Sequence, residues 1–334
     1  MISETALIIG KLQIPWNAIL IGLTIPAWFF FAYSLYSARV KKSASFLLLF
    51  PLTVITSFFF CRLFYWYSNQ SQFEGLSDAL DSFNLAAFSL LGLLPGILIP
   101  ALLLWAVRLI KKLPVLLDTL AAPTAFATGF FYLTCLFNNS CRAKFVIHHA
   151  AFQRFPVSVL STDALGNIEY RFATFMAGFI LMSLVGIFTL WFYFRNYKKE
   201  GATLAFFLLF YSAVQFILES TRYDACYFPF NGFVSIIQIV SAVCIAGSMI
   251  YYSILSVKKT GFRAVYPVLW FLHIAAIGAT GYLEYLVQRH GDKAAMLYLF
   301  MSLSCFLLAF IPVIVYFCGK SGRKSQIPRK KSGA

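Results

Sequence analysis

The sequence predicts an all-α fold, a polytopic membrane helical bundle of about nine transmembrane helices. Its composition indicates a membrane protein, because 60% of the 334 residues are hydrophobic, only 12% are charged and the mean hydropathy is +0.79. A soluble domain carries ~25% charged residues. The chain also contains separate apolar stretches, each near the ~20 residues that a helix needs to cross ~30 Å of hydrocarbon. These stretches lie roughly at 14–37, 44–67, 83–106, 114–137, 171–194, 202–220, 232–255, 265–287 and 296–317.

Basic residues are concentrated in every second gap between the apolar stretches. Loops rich in Lys and Arg stay in the cytoplasm, so this alternation predicts an outside N-terminus and a cytoplasmic C-terminus. The net charge of +15 is therefore interpreted as a set of topology signals that attract anionic lipids, and no nucleic-acid partner is expected. The clustered cations are Arg39, Lys41, Lys42, Arg108, Lys111, Lys112, Arg195, Lys198, Lys199, Lys258, Lys259, Arg263, Lys320, Arg323, Lys324, Arg329, Lys330 and Lys331.

Three parts are predicted along the chain. Residues 1–257 form a seven-helix membrane domain, whose longest outer gap, 138–170, is a small extracytoplasmic segment that we call the arm. Residues 258–317 form an additional two-helix hairpin. Residues 318–334 form a basic tail punctuated by Gly, Ser and Pro, which is expected to be disordered near anionic lipids. The first apolar stretch is too long for a cleavable signal peptide and is expected to remain as the first helix.

The seven cysteines include no CxxC pair and no His/Cys cluster with the spacing of a metal site. No metal and no cofactor are therefore expected. Cys141 and Cys226 both fall in predicted outer loops. A disulfide between them and two unrelated thiols both remain open, and the second interpretation is favoured.

One predicted helix carries a polar face. Tyr211, Gln215, Glu219 and Arg222 are spaced i, i+4, i+8 and i+11, which places them within a sector of roughly 80°. Because polar groups are costly against lipid, this face is expected to point into the bundle, with Arg62 close to Glu219. The alternatives are a structural ion pair of Glu219 with Arg222 or Arg62, which residue type alone favours, and a lipid-headgroup pocket. In the pocket, Arg62 and Arg222 would pair with phosphate and Tyr211 would donate a hydrogen bond.

Four segments resemble motifs of the bacterial prolipoprotein diacylglyceryl transferases, in the family's order and over about residues 1–255. The segment GATLAFFLLFYSAVQFILESTRYD is similar to the family's Gly…Tyr-Gly…Arg…Glu-x-x-Arg run, and CRLFYW to its Ala-Arg-Leu-Tyr-Tyr motif. LLDTLAAP and IIQIVSA resemble two further motifs of that family. The residues retained in these motifs are Arg62, Asp118, Pro123, Gly201, Tyr211, Glu219, Arg222, Gln238 and Ser241.

The resemblance implies a reaction at the outer face of the bacterial plasma membrane. The family transfers the diacylglyceryl group of phosphatidylglycerol to the thiol of a lipoprotein cysteine and releases glycerol 1-phosphate. The implied partners are phosphatidylglycerol or another anionic phospholipid and an exported prolipoprotein. A base must deprotonate the thiol, and positive charge must stabilise the leaving phosphate.

The chain departs from the family where this chemistry is concentrated. Leu91 occupies the family's histidine position, Leu133 an arginine, Gln215 another arginine and Cys141 a glutamate, whereas Asn139 is retained. Leucine can neither donate to a phosphate nor accept a proton. The chain is therefore interpreted as a divergent member, for which catalysis is left open.

Two hypotheses follow from these departures. In the first, the chain is a divergent transferase with catalytic Tyr211 and Glu219, a replacement base at His148 or His149, and headgroup binding by Arg62, Asn139, Arg142, Gln215 and Arg222. In the second, it is a non-catalytic, lipid-binding accessory protein. For the histidine pair, an exposed loop doublet is the more common alternative. A small-molecule transporter is disfavoured because the helices show no internal repeat.

Overall fold

The computed structural model describes residues 5–9, 12–40, 44–70, 73–81, 92–137, 140–162, 166–197, 199–227, 234–289 and 294–321. Within these residues it contains ten α-helices and two short antiparallel β-hairpins. Eight of the helices are long and apolar enough to cross a membrane, which confirms a polytopic helical membrane protein. In chain order the elements are β1 (Thr5–Ile9), β2 (Leu12–Pro15), α1 (Trp16–Ser37), α2 (Leu49–Ser68), α3 (Leu76–Asp81), α4 (Leu93–Ala106), α5 (Leu113–Thr134), β3 (Ser158–Thr162), β4 (Ile168–Phe172), α6 (Thr174–Arg195), α7 (Ala202–Thr221), α8 (Ile236–Thr260), α9 (Val265–Arg289) and α10 (Ala294–Ser321).

The third predicted stretch is described only from Gly92 onward, where α4 is an apolar helix of 14 residues. Helix α4 packs against α2 at very short range. A Cβ atom added at Gly96 would lie 2.5 Å from the Cα of Ser57, and one added at Gly92 would lie 2.1 Å from the backbone N of Cys61. Glycine therefore allows the two helix backbones to touch, as is common between membrane helices.

The chain forms two compact units. The first comprises Met1–Phe207 and Thr221–Gly232, and the second comprises Leu208–Ser220 and Phe233–Ala334. Helix α7 contributes residues to both. The division into parts that the sequence predicts stays a prediction, and residues 322–334 of the tail lie outside the described residues.

In the first unit, α5 packs against α1 and α6. An aromatic cluster from α1 and the turn before α2 forms the core beside α5, with Phe29, Tyr36 and Phe46 in ring contact and Leu116 fully buried. Close-packed aromatic rings of this kind contribute directional contacts in addition to their buried area.

Asp118 fixes the start of α7 within the first unit. Its two carboxylate oxygens accept hydrogen bonds from the backbone N–H groups of Gly201 and Leu204, each at 2.8 Å, and Arg39 lies 3.5 Å away. An acidic side chain that accepts the first N–H groups of a helix stabilises that helix end. Gly201 has a φ of 81°, a left-handed conformation that favours glycine. Two retained motif residues, Asp118 and Gly201, are thus part of the scaffold.

The same end of the first unit collects three of the basic gaps. Arg39 of the first gap pairs with Asp118, Lys112 of the third gap pairs with Glu200 of the fifth at 2.6 Å, and the Tyr197 hydroxyl donates to the carbonyl of Ala38. Gaps one, three and five therefore lie together. This arrangement agrees with the alternation on which the predicted orientation depends.

The arm lies at the other end of α5 and α6 and contains β-structure. Strands β3 and β4 pair antiparallel, and isolated bridges join Val146 to Arg171 and Ala143 to Arg222. Because α5 and α6 each span 22 residues, about 33 Å separates this end from the basic gaps.

In the second unit, α10 packs against α8 and α9. Helix α8 begins with a capping box, in which Ser235 and Gln238 exchange side-chain and backbone hydrogen bonds. This box gives the retained motif residue Gln238 a structural partner. Between α9 and α10, the hydroxyls of Thr280 and Ser304 are 2.7 Å apart, and Glu284 is buried with Gln288 as a hydrogen-bond donor.

Candidate functional site

Two of the predicted headgroup residues, Arg142 and Arg222, are brought together beside the arm. The segment that begins at Arg142 runs antiparallel to the end of α7. The Lys144 N–H donates to the carbonyl of Thr221 at 2.8 Å, and the Tyr223 N–H donates to the carbonyl of Arg142 at 3.1 Å. The start of the arm is thereby fastened to the residues that follow α7.

Arg222 is engaged by an acid two residues further along the chain. Its Nε and one terminal nitrogen donate to the two oxygens of Asp224 at 3.0 and 3.1 Å. Asp224 also accepts the backbone N–H of Cys141 at 3.0 Å. Burial opposes ionisation of Asp224, but Arg222 and the backbone donors outweigh it, so the pKa of that carboxyl lies below its ordinary value. The positive charge of Arg222 is therefore partly neutralised by a carboxylate of the same chain.

Arg142 and Arg171 form a second cationic pair in the same region. A terminal nitrogen of Arg142 donates to the carbonyl of Leu160 at 3.0 Å, and one of Arg171 donates to Glu169 at 3.2 Å. The Nε atoms of both arginines are buried and make no hydrogen bond to the described residues. Burial lowers the pKa of Arg142, and the positive charge of Arg171 lowers it further. Tyr223 has the opposite effect, but it does not outweigh the other two.

Aromatic side chains lie beside these cations. The Arg171 guanidinium lies 6.0 Å from the ring centre of Tyr223. Lys144 hydrogen-bonds to the hydroxyl of Tyr227, and its ammonium lies 5.1 Å from that ring. Cation–π contacts of this kind hold a charged group in place without neutralising it.

His148 and His149 lie on an exposed turn of the arm. The Nδ1 atom of His149 accepts the backbone N–H of Ala151 at 3.3 Å, and its ring lies 5.6 Å from that of Phe152. The carbonyl of His148 accepts a hydrogen bond from Gln153. These contacts fit an exposed loop doublet, and a catalytic role for either histidine stays a prediction.

Arg62 is buried in α2, with 3% of its surface exposed. Its guanidinium lies 5.8 Å from the ring of Tyr65 and 5.6 Å from that of Phe73. The neighbouring residue, Cys61, is the one against which Gly92 packs. Gly92 thus allows the start of α4 to lie directly beside Arg62, which is retained from the family motif.

The remaining predicted residues belong to α5 and α7 or fall outside the described residues. Gln215 and Glu219 are buried, with 3% and 1% of their surface exposed, and Tyr211 is half-buried. Gln215 and Glu219 are therefore enclosed by protein, whereas the pocket predicted at this side of α7 stays a prediction. The predicted proximity of Arg62 to Glu219 stays a prediction, because the two residues belong to different units. Leu133 is half-buried in α5, whereas Asn139 and Leu91 lie outside the described residues.

The sequence analysis did not identify two residues of this region, Arg171 and Asp224. In the sequence, Arg171 is only a cation that directly follows the arm, because its position beside Arg142 depends on the pairing of β4 with its neighbours. Asp224 follows Arg222 at i+2, a spacing that brings side chains together in a turn and not on a helix.

The comparisons with known proteins agree with this scaffold. A search of curated proteins finds no match to the chain. A family model described as prolipoprotein diacylglyceryl transferase matches residues 4–254, about three quarters of the chain. The matched region contains the retained motifs, the arm and helices α1 to α7, and it ends within α8. The chain therefore belongs to the prolipoprotein diacylglyceryl transferase family.

Proposed function

We propose that the chain binds the headgroup of phosphatidylglycerol, or of another anionic phospholipid, through arginines at the arm, and that its transfer of a diacylglyceryl group to a lipoprotein cysteine is weak or absent. The bacterial plasma membrane is the proposed location. The observation that carries this proposal is the pair Arg142 and Arg171, whose buried Nε–H groups have no acceptor among the described residues.

Two arginines held near each other are suited to a phosphate. Like charges repel, so their proximity is stabilised when an anion lies between them. A phosphate offers several acceptor oxygens to the guanidinium donors, and such charge-assisted bonds are stronger than neutral ones. Glu169 pairs with Arg171, with 18% of the arginine side chain and 30% of the glutamate side chain exposed, so it partly neutralises one member of the pair.

The transfer reaction makes demands that the chain meets only in part. The cysteine thiol must lose its proton to a base, its sulfur must form a bond to the glyceryl carbon, and the carbon–oxygen bond to phosphate must break. The departing glycerol phosphate takes the bonding electrons and needs positive charge around it. With Leu91, Leu133 and Gln215 at the family's histidine and arginine positions, several of these groups are missing.

The size of this loss supports weak transfer. Removing one group that stabilises a developing oxyanion typically costs ~10²–10³ in rate. Arg222, which the chain retains, is paired with Asp224 and so has less charge to offer a leaving phosphate. A lipid-binding role makes no demand on a base and needs only the cationic contacts.

An active, divergent transferase is the second candidate, and the family match favours it. Tyr211 and Glu219 are retained in register and remain the candidate catalytic residues. In this alternative, His148 or His149 replaces the lost base.

Complementation separates the two candidates. The chain is expressed in bacteria depleted of their own transferase, and prolipoprotein lipidation is followed by its mobility and by incorporation of labelled lipid. Insertion is verified in the same cells, and a family member with the full motif serves as the positive control. We expect no rescue by the inserted chain, whereas restored lipidation would overturn weak transfer and establish the second candidate.

A further inference from the structure

Two buried cysteines touch where α5 meets the arm. Cys135 begins the short 3₁₀ turn Cys135–Phe137, and Cys141 follows six residues later. Their sulfur atoms are 3.2 Å apart, and the two residues are 6% and 2% exposed. The sequence analysis left open a disulfide between Cys141 and Cys226. In the structure, the sulfur of Cys141 contacts that of Cys135.

The backbone around Cys141 is fixed from two directions. Its N–H donates to Asp224 at 3.0 Å, and its carbonyl accepts the N–H of Phe175 at 3.2 Å. Its φ of 54° lies in the left-handed region, which a residue with a side chain adopts when its surroundings require it. Cys135 continues directly from α5, so both thiols are held in position by the scaffold.

The chemistry of the pair favours a structural role over a reactive one. The hydrogen bond with Cys135, together with burial, raises the pKa of the Cys141 thiol well above its ordinary value. A thiol of this kind is a poor nucleophile, because the reactive species is the thiolate. In the described residues, the pair is not part of a group of three or more metal-binding side chains.

We propose that Cys135 and Cys141 form a disulfide bond in the mature protein. The oxidant is a protein disulfide of the outer compartment, which accepts the two electrons and two protons that the thiols lose and becomes a dithiol. One sulfur–sulfur bond forms in this chain while one breaks in the oxidant. Since the mature pair is buried, the exchange occurs before the arm packs. The outer compartment follows from the predicted orientation, since disulfides persist where the environment is oxidising.

The bond has a structural consequence for the arm. It closes the loop that contains Phe137 and the family's retained Asn139. It also holds the backbone N–H of Cys141 at Asp224, the residue that pairs with Arg222. The disulfide would therefore restrain the cationic region without contributing a group to the headgroup.

A direct test uses the full chain, purified in detergent after acid quenching and alkylation without reductant. Chymotrypsin cuts after Phe137, between the two cysteines, so a disulfide keeps the two fragments joined. We expect most of the protein to yield joined fragments, lighter by two hydrogen atoms than the separate thiol peptides together and separated by reduction. Full alkylation of both cysteines in the wild-type chain would overturn the proposal.

Matched variants identify the partner. Cys226→Ser is expected to leave the joined Cys135–Cys141 fragments unchanged, whereas their loss in this variant would show that Cys226 takes part and would overturn the assignment. Cys135→Ser is expected to leave Cys141 open to alkylation after denaturation. The wild-type measurement needs no variant, and none of these measurements depends on lipid binding or transfer.

Discussion

The guanidinium of Arg222 binds the carboxylate of Asp224 through two hydrogen bonds, of 3.0 and 3.1 Å. Arg222 is one of the residues retained from the family motif, and the sequence analysis predicted that it contacts lipid phosphate. In the structure, Asp224 partly neutralises this charge, and the same carboxylate accepts a hydrogen bond from the backbone N–H of Cys141 in the arm. Arg142 and Arg171, which lie in the same region with unused donors, are therefore the better-placed groups for an anion.

The first prediction concerns these two arginines. Arg142→Gln and Arg171→Gln should each weaken binding of phosphatidylglycerol by about tenfold or more, because a charge-assisted hydrogen bond contributes ~1.5–3 kcal/mol. Binding is measured by native mass spectrometry of the purified chain with defined lipids. Arg154→Gln is the matched control, since Arg154 is an exposed arginine of the same arm. Equal affinity for phosphatidylglycerol in all three variants would show that Arg142 and Arg171 do not bind the headgroup.

The second prediction concerns acid stability. Since the pKa of Asp224 is below its ordinary value of ~3.9, its ion pair stabilises the fold above that value and is lost as the pH falls through the lowered pKa. The protection factors for amide hydrogen exchange in residues 140–147 and 221–227, which are corrected for the intrinsic pH dependence of exchange, should therefore fall below about pH 4. Asp224→Asn should show fast exchange already at neutral pH, with about 1–3 kcal/mol of local stability lost.

The control for the Asp224 measurement is Glu74→Gln, which alters an exposed acid elsewhere in the first unit. This variant should exchange like the wild type in both segments. A pH dependence that persists in Asp224→Asn would assign the effect to another group.

The third prediction concerns the contact of α4 with α2. Gly92→Ala should destabilise the protein by about 1–3 kcal/mol or prevent folding, because the new Cβ would meet the backbone of Cys61 at 2.1 Å. Gly22→Ala is the matched control, since a Cβ there meets nothing within 4 Å. Detergent-solubilised yield and the midpoint of thermal unfolding are compared. Similar values for the two variants would contradict the close helix contact.

Much of the scaffold was accessible from the sequence, because a membrane helix is defined by the length of its apolar stretch and its ends by nearby basic residues. The roles of Arg171 and Asp224 were not accessible. The first depends on the register of β4, and the second on a turn after α7, neither of which has the helical period used to find the polar face. The arm hairpin was likewise missed, since two five-residue strands give a weak pattern beside long apolar helices.

The hydrogen-bond partners of several retained motif residues could not be predicted from the sequence. Asp118 and Gly201 are far apart in sequence, and their hydrogen bond at the start of α7 appears only in the structure. Gln238 similarly acts in a capping box. Retention of a motif residue can therefore preserve the fold as well as the chemistry.

The fourth prediction concerns orientation. Gln326→Cys, in the basic tail, should be protected from a membrane-impermeant thiol reagent in intact cells, because the basic clusters predict a cytoplasmic tail. Ala151→Cys, on the exposed turn of the arm, should be labelled under the same conditions. Both variants are compared with the unmodified chain to account for its own cysteines. Efficient labelling at 326 with protection at 151 would reverse the proposed topology.

The central claim is tested most directly by measuring lipid binding and transfer in one sample. The purified chain is reconstituted in nanodiscs with labelled phosphatidylglycerol and given a lipobox peptide, beside a family member with the full motif. We predict that the chain retains phosphatidylglycerol in a manner that depends on Arg142 and Arg171, while the peptide remains almost unmodified. Lipidation of the peptide at a rate comparable to that of the full-motif member, or retention of phosphatidylglycerol unaffected by replacing both arginines, would contradict the account.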